Sequence, residues 1–220
     1  MTGETLRRGV RAAAPLLPAV AVFGASFGVL ARGVGIGFLP ATVMSATTFA
    51  GSSQVATVSV LGAGGGVISA IVAALLLNAR YGPIGISVAR VFHGNSLRRL
   101  VESQLVVDES WALSGAGGPS LDRDVLLGVG AALWVCWTGG TAIGALVGGA
   151  IGDPSTFGLD GAFAALFLAL LLGQLRSRRA VAAAVAGAAI AAALTPALRP
   201  GLPIVAATVA ALAGVRRRAT

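Results

Sequence analysis

The sequence predicts an all-α polytopic membrane protein with six to seven membrane segments. Of its 220 residues, 56% are hydrophobic and only 11% are charged, whereas a soluble domain carries about a quarter charged residues. Long uncharged runs alternate with arginine-rich stretches, and about 20 apolar residues in a helix cross the hydrocarbon core of a bilayer. We therefore expect a single membrane domain over residues 1–220, with the lipid bilayer as its surroundings.

The net charge of +8 does not indicate a nucleic-acid partner. The basic residues are arginines that lie mainly at the ends of hydrophobic runs, as membrane topology requires, whereas a nucleic-acid domain gathers them on one soluble face. His93 and Cys136 have no motif around them for nucleophilic catalysis or metal binding. We expect no enzyme activity, no metal and no cofactor.

The uncharged runs give the candidate segments in order, near residues 12–31, 40–61, 67–92, 125–150, 156–175, 180–198 and 200–215. In the first, Gly24 and Gly28 form a small-residue face that admits another helix closely. In the fourth, a glycine stands at every fourth position, at Gly140, Gly144, Gly148 and Gly152. This stripe predicts tight helix contact, either within the chain or with a second copy in a homo-oligomer.

The arginine clusters conflict with a simple count of crossings. The N-terminus, the hydrophilic loop 93–124, the turn 176–179 and the C-terminus are all basic, so all four are expected on the cytoplasmic side of a bacterial inner membrane. Three hydrophobic runs precede residue 93, and an odd number of crossings would place the loop outside. We therefore expect one of the first three runs to be re-entrant or broken, and favour the second.

Polar residues interrupt this second run. On a continuous helix, Ser45, Thr48, Ser52 and Ser59 share one side, while Thr47 and Gln54 lie on another. A helix with two polar sides cannot face lipid cheaply, so we expect protein neighbours or a break near Gly51–Gln54. A broken helix exposes backbone groups that bind substrates in transporters. The alternative is that these hydroxyls only join helices.

The third run carries Asn78 and Arg80 near its midpoint, where a charge is costly. Pro83 is expected to leave the carbonyl of Ala79 without its usual helical bond. Alternatively, the run ends at Arg80, which extends to the headgroups. Ser26 in the first run is either a polar group of the interior or bonded to its own helix.

The stretch Val107-Asp108-Glu109-Ser110-Trp111 lies in the hydrophilic loop. Its two acids favour the start of a helix, because acidic residues stabilise the positive end of the helix dipole. They could instead pair with Arg98 or Arg99, or take part in proton coupling.

Two motifs carry a family resemblance. The stretch S-x-x-x-F-A-G-S-S-Q (Ser45 to Gln54), followed by N-A-R-Y (Asn78 to Tyr81), resembles AzlC-type branched-chain amino acid permeases. The Asp108-Glu109 pair and the loop Gly37–Pro40 are also similar to that family. The resemblance covers nearly the whole chain, but Tyr81 and Gly82-Pro83 stand where the family often has a histidine after the arginine.

The resemblance implies a secondary exporter of branched-chain or related neutral amino acids, driven by an ion gradient and completed by a small AzlD-like membrane subunit. The expected substrate-binding residues are Gly51, Ser52, Ser53, Gln54, Asn78, Arg80, Ser26, Ser45 and Thr48. The expected coupling or gating residues are Asp108, Glu109, Tyr81 and Pro83. The alternative is a passive channel or a non-transporting scaffold subunit, which predicts that Arg80→Ala and Gln54→Ala change neither flux nor assembly.

Overall fold

A computed structural model describes residues 3–115, 120–151, 168, 171–172, 175, 177–198 and 202–207. All regular structure in this part of the chain is α-helical, as predicted. The helices are α1 (Gly3–Ala13), α2 (Leu17–Gly33), α3 (Phe38–Thr48), α4 (Gly51–Gly62), α5 (Val67–Asn78), α6 (Tyr81–Val88), α7 (Ser96–Ser103), α8 (Asp108–Ser114), α9 (Arg123–Ile151), α10 (Arg178–Leu194) and α11 (Leu202–Ala207).

The chain divides into two compact units. The first comprises Met1–Gln54 with Asn78–Gly152, and the second comprises Val55–Leu77 with Asp153–Thr220. In the second unit, Val60 packs with Ala70 and Ala73 in a small apolar cluster. The predicted segment near 156–175 lies almost entirely outside the described residues. The candidate site described below belongs to the first unit.

Helix α9 is the centre of the first unit and packs against α1, α2, α3 and α8. Its closest neighbour is α2, and the two backbones approach through glycines from both sides. A methyl group built on Gly144 would overlap the backbone of Ala25, and one on Gly28 would overlap the backbone of Thr141. The same holds for Gly24, Gly140 and Gly148. The predicted glycine faces therefore meet each other within the chain, while Gly152 lies outside the described residues.

The second hydrophobic run is two helices rather than one. Helix α3 ends at Thr48, Phe49 adopts a left-handed backbone with φ of 40°, and α4 begins at Gly51. Because left-handed backbone is unfavourable for residues other than glycine, the surrounding structure must hold Phe49 in place. Phe49 is buried and is only 6% exposed.

The third run is also divided, shortly before Gly82-Pro83. Helix α5 ends at Asn78 and α6 begins at Tyr81, so the break precedes Gly82-Pro83. Pro83 then stands in the first turn of α6, where no intrahelical N–H bond is required of it. The carbonyl of Ala79 lacks its usual bond from residue 83, as expected for a proline, and accepts instead from the N–H of Gly82 at 3.1 Å.

The described residues include one helix that is long and apolar enough to cross a membrane, at Arg123–Gly149. Two further pairs meet the same test if each bent pair is one span: Arg7–Ala13 with Leu17–Gly33, and Val67–Asn78 with Tyr81–Val88. The α3–α4 pair is not among them. Exposed aliphatic side chains, such as Ile68 at 80% and Ile86 at 78%, suit a lipid environment. The number of six to seven segments stays a prediction.

Candidate functional site

Buried polar side chains join the break between α3 and α4 to α9. The amide of Gln54 donates to the hydroxyl of Ser45 at 3.0 Å, and this hydroxyl pairs with that of Thr141 at 2.8 Å. The amide oxygen of Gln54 accepts from the Ala50 N–H at 3.3 Å and from the Trp137 indole at 3.0 Å. Buried polar groups are costly unless paired, so Gln54 holds the first turn of α4 against α9.

This arrangement differs from the continuous helix of the sequence prediction. That prediction placed Ser45 and Gln54 on different sides of one helix, whereas here their side chains are bonded to each other. The left-handed Phe49 changes the direction of the chain between them, so the spacing of 100° per residue does not carry across the break.

The last carbonyls of α3 are bonded to side chains from elsewhere in the first unit. The indole of Trp134 donates to the carbonyl of Ala46 at 2.9 Å, and the amide of Gln104 donates to the carbonyl of Thr47 at 2.7 Å. The final carbonyls of a helix have no intrahelical partner. Trp134 and Gln104 therefore stabilise the end of α3 where the helix is interrupted.

Arg80 bridges the break in the second run and the hydrophilic segment. Its guanidinium donates to the hydroxyl of Ser52 at 2.8 Å and pairs with the carboxylate of Asp108 at 2.8 Å. It also lies over the ring of Tyr81, 5.4 Å from the centroid. The charge of Arg80 thus has protein partners at the α5–α6 break, although 40% of its side chain is exposed.

The Val107–Trp111 stretch forms the start of α8, as the acidic pair suggested. The hydroxyl of Ser110 accepts from the N–H of Val107 at 2.9 Å, which satisfies a donor at the helix N-terminus. The Trp111 indole donates to the hydroxyl of Ser87 on α6 at 2.8 Å. Asp108 pairs with Arg80, which directly precedes α6, rather than with the arginines of α7. Together with the bond from Trp111 to Ser87, this ion pair holds α8 beside α6.

A cavity of about 280 Å³ opens beside the α3–α4 break. Its walls come from the end of α3, the two sides of the α5–α6 break and the segment after α7. The lining residues are Thr48, Phe49, Ala50, Asn78, Tyr81, Gly85, Val88, Ser103, Gln104 and Val106. Within the described residues, the amide oxygen of Asn78 is buried without a hydrogen-bond partner. Asn78 therefore lines the cavity and also carries an unsatisfied buried acceptor.

A second cavity, of about 380 Å³, adjoins the first. The two cavities share Gly85, Val88 and Ser103 as lining residues. The second extends along α6 and α7, where its other lining residues are Ala89, Phe92, Ser96, Arg99 and Leu100.

The residues predicted to bind substrate occupy three different environments. Thr48 and Asn78 line the first cavity, and Ser52 holds Arg80. Others are buried in the structural contacts at the break: Ser45 and Gln54 in the polar network, Ser53 through its bond to the Ala50 carbonyl, and Gly51 against the Trp137 ring. Ser26 donates to the Val22 carbonyl of its own helix at 2.9 Å, which is the alternative noted for it.

The predicted coupling or gating residues are also divided. Tyr81 lines the first cavity and Asp108 pairs with Arg80. Glu109 and Pro83 are exposed and line neither cavity. The structure thus brings Tyr81 and Asp108 to the α5–α6 break together with Asn78 and Arg80.

Sequence reasoning missed the part of the cavity wall that follows α7. Ser103, Gln104 and Val106 belong to the hydrophilic segment, where lone polar residues are usually solvent-exposed. The only available signal was that this segment contains polar residues without charge next to the Asp-Glu motif. That signal does not single out Gln104.

The hydrophilic segment is joined to α9 by an ionic cluster outside the predicted membrane segments. The Glu102 carboxylate accepts from Arg98 at 2.8 Å and also pairs with Arg123. Burial on its own would raise the pKa of Glu102, but the hydrogen bonds and charges of Arg98 and Arg123 outweigh it and lower the pKa below the ordinary value. Glu102 is therefore ionised near neutral pH and holds α7 beside the start of α9.

Comparison with known proteins agrees with the motifs. The family described as AzlC protein matches residues 15–151, which is more than half of the chain and contains most of the first unit. Comparisons with curated proteins and with solved structures give no match. This match indicates a membrane protein whose function is related to branched-chain amino acid transport. The chain therefore belongs to the AzlC family.

Proposed function

We propose that the chain is the large subunit of a secondary transporter that exports valine, isoleucine, leucine and related neutral amino acids such as methionine. The observation that carries the proposal is the cavity of about 280 Å³, because one of its lining residues, Asn78, has a buried amide oxygen without a hydrogen-bond partner. Its volume lies near the lower end of the range for small-molecule sites, which suits a single amino acid.

The lining of the cavity complements a branched-chain amino acid. The Asn78 oxygen is placed to accept a hydrogen bond from the substrate ammonium group, since an unsatisfied buried acceptor gains most from a charged donor. Ala50 brings the start of α4 to the wall, and the positive end of a helix dipole favours a carboxylate. Phe49, Val88 and Val106 supply apolar surface for the aliphatic side chain.

Coupling to an ion gradient would act at the α5–α6 break. Arg80 and Asp108 are both more than a third exposed, and ion pairs of this kind contribute about 1 kcal/mol or less. Such a pair can separate at low cost when an ion or substrate arrives. Asp108, with Glu109 next to it and Tyr81 beneath Arg80, would then change partners as the cavity opens.

The topology that fits this function has six to seven membrane segments with α3–α4 as a re-entrant element. The N-terminus, the 93–124 segment and the C-terminus would face the cytoplasm of a bacterium, following the arginine distribution. Non-helical backbone at membrane depth is tolerated when it is buried in protein or lines a cavity, which describes Phe49 and Ala50. A small AzlD-like membrane subunit would complete the transporter.

The test is efflux of labelled valine, isoleucine, leucine and methionine from cells that express the chain with and without the small subunit. We expect efflux above that of empty cells for at least one substrate. Asn78→Leu, which removes the acceptor at similar size, is expected to lower efflux at least tenfold, in line with the loss of a hydrogen bond to a charged group. The control Ser26→Ala removes only a bond to its own helix and should retain wild-type efflux.

Two outcomes would contradict the proposal. Efflux equal to that of empty cells for every amino acid would exclude the substrate class. Efflux that is unaffected by Asn78→Leu, Arg80→Ala or Gln54→Ala would favour the passive channel or scaffold.

A further inference from the structure

The second cavity has the features of a site that substrate could occupy before it reaches the first cavity. It shares three lining residues with the first, so the two cavities lie next to each other. Its apolar lining residues include Phe92 and Leu100, and its lining residues with polar side chains are Ser96, Ser103 and Arg99. This combination of an aliphatic surface and one cation suits a small amphipathic carboxylate.

The charge of Arg99 is not neutralised within the described residues. Two other arginines of the hydrophilic segment, Arg98 and Arg123, are paired with Glu102. Arg99 takes part in no ion pair in this part of the chain. A cation that lines a cavity without an acidic partner raises the local concentration of anions.

We infer that the second cavity is the cytoplasmic vestibule of the transporter, in which Arg99 binds the carboxylate of the amino acid before it moves to Asn78. The inference rests on the proposed function, because it assigns to that substrate a second site. In an exporter the first encounter takes place on the cytoplasmic side, and α7 belongs to the segment predicted there.

The two sites would recognise opposite ends of the same molecule. Arg99 attracts the carboxylate, while the first cavity offers an acceptor for the ammonium group at Asn78. Val88 and Ser103 line both cavities, so the aliphatic side chain can remain against Val88 during the passage. The charge at Arg99 should therefore affect the half-saturating substrate concentration more than the maximal rate of transport.

The experiment measures initial uptake of labelled valine against valine concentration in inside-out membrane vesicles, where the cytoplasmic face points outward. The full chain is expressed with the small subunit. Arg99→Gln is expected to raise the half-saturating concentration about two- to fivefold with the maximal rate unchanged, as for loss of one exposed charge pair. Arg99→Lys, which keeps the charge, should stay near wild type.

Arg7→Gln is the matched control, because Arg7 is an exposed arginine of α1 that lines neither cavity. Inhibition by 3-methylbutanoate, which has the carboxylate but no ammonium group, should weaken in Arg99→Gln, whereas inhibition by valinamide should not. Equal half-saturating concentrations for wild type and Arg99→Gln would overturn the vestibule and leave the proposed function intact. No uptake of valine, isoleucine, leucine or methionine by the wild type would overturn both.

A lipid phosphate could occupy Arg99 through the same chemistry. Proteoliposomes of zwitterionic lipid alone, compared with proteoliposomes that contain anionic lipid, separate the two sources. The vestibule predicts that the effect of Arg99→Gln persists without anionic lipid. An effect that appears only with anionic lipid would assign Arg99 to a headgroup and contradict the inference.

Discussion

At the scale of single residues, Gln54 has the clearest assignment. Its side chain uses both ends at once, as a donor to Ser45 and an acceptor from Ala50 and Trp137. It is fully buried. A glutamine in these surroundings fixes the break between α3 and α4, so its removal should first appear as lost stability.

Gln54→Leu tests this role. The substitution leaves the Ala50 N–H and the Trp137 indole buried without an acceptor, and each such group costs about 1–3 kcal/mol. We expect the free energy of unfolding in detergent to fall by about 2–4 kcal/mol. Ser26→Ala, which affects a bond within one helix, is the control and should stay within about 0.5 kcal/mol of wild type. Equal stability of Gln54→Leu and wild type would show that the network is not formed.

The ion pair of Arg80 and Asp108 should contribute less to the free energy of unfolding than the hydrogen bonds of Gln54. A double-mutant cycle with Arg80→Gln and Asp108→Asn is expected to give a coupling free energy of about 0.2–1 kcal/mol in stability, because both side chains are partly exposed. A coupling above about 3 kcal/mol would be typical of a buried pair and would contradict a pair that separates during transport.

At the scale of elements, the α2–α9 contact depends on glycines on both helices. Gly144→Leu should lower the free energy of unfolding by about 3 kcal/mol or more, because the added atoms overlap the backbone of Ala25. Gly139→Leu lies on the same helix but meets nothing within 4 Å and should be tolerated. Similar losses in both variants would indicate a general intolerance of α9 rather than a close helix contact.

The contact between α7 and α9 should depend on pH. The pKa of Glu102 is lower in the folded protein than its ordinary value of 4.5, so its stabilising contribution is complete above that value and is lost as the pH falls through the folded pKa. Near pH 7, Glu102→Gln should reduce the free energy of unfolding by about 1–3 kcal/mol.

This difference from wild type should shrink as the pH falls below 4.5. Unfolding curves of the two proteins from pH 7 to pH 3 check it. A constant difference over this range would contradict the assigned ionisation of Glu102.

The sequence was sufficient for some elements and insufficient for others, for physical reasons. The glycine spacing predicted the faces of α2 and α9 because a close backbone approach leaves room for no other residue. The polar residues near Gly51 predicted a break in the second run, but its site is Phe49, whose left-handed conformation is imposed by tertiary contacts. The role of Gln104 depends on a carbonyl 57 residues away, which no local pattern reveals.

At the scale of the whole molecule, the proposed substrate site lies beside the α3–α4 break. The sequence motifs contain Ser52 and Arg80, and the side chains of these two residues are hydrogen-bonded to each other. The cavity itself is formed by Asn78, Tyr81 and the residues after α7. The residues of the two motifs therefore hold the break and also supply part of the cavity wall, namely Thr48, Phe49, Ala50, Asn78 and Tyr81, while the rest of the wall comes from α6, the end of α7 and the residues after it.

The most direct measurement is binding of labelled valine to the purified full chain, with the proposed small subunit, comparing wild type with Gly85→Leu. Gly85 lines both cavities, and a methyl group built there meets no atom within 4 Å, so leucine can occupy the space without displacing the backbone. We predict that Gly85→Leu lowers the affinity for valine at least tenfold, and that the control Gly139→Leu keeps the wild-type affinity. Unchanged valine binding in Gly85→Leu would contradict a binding site in this cavity.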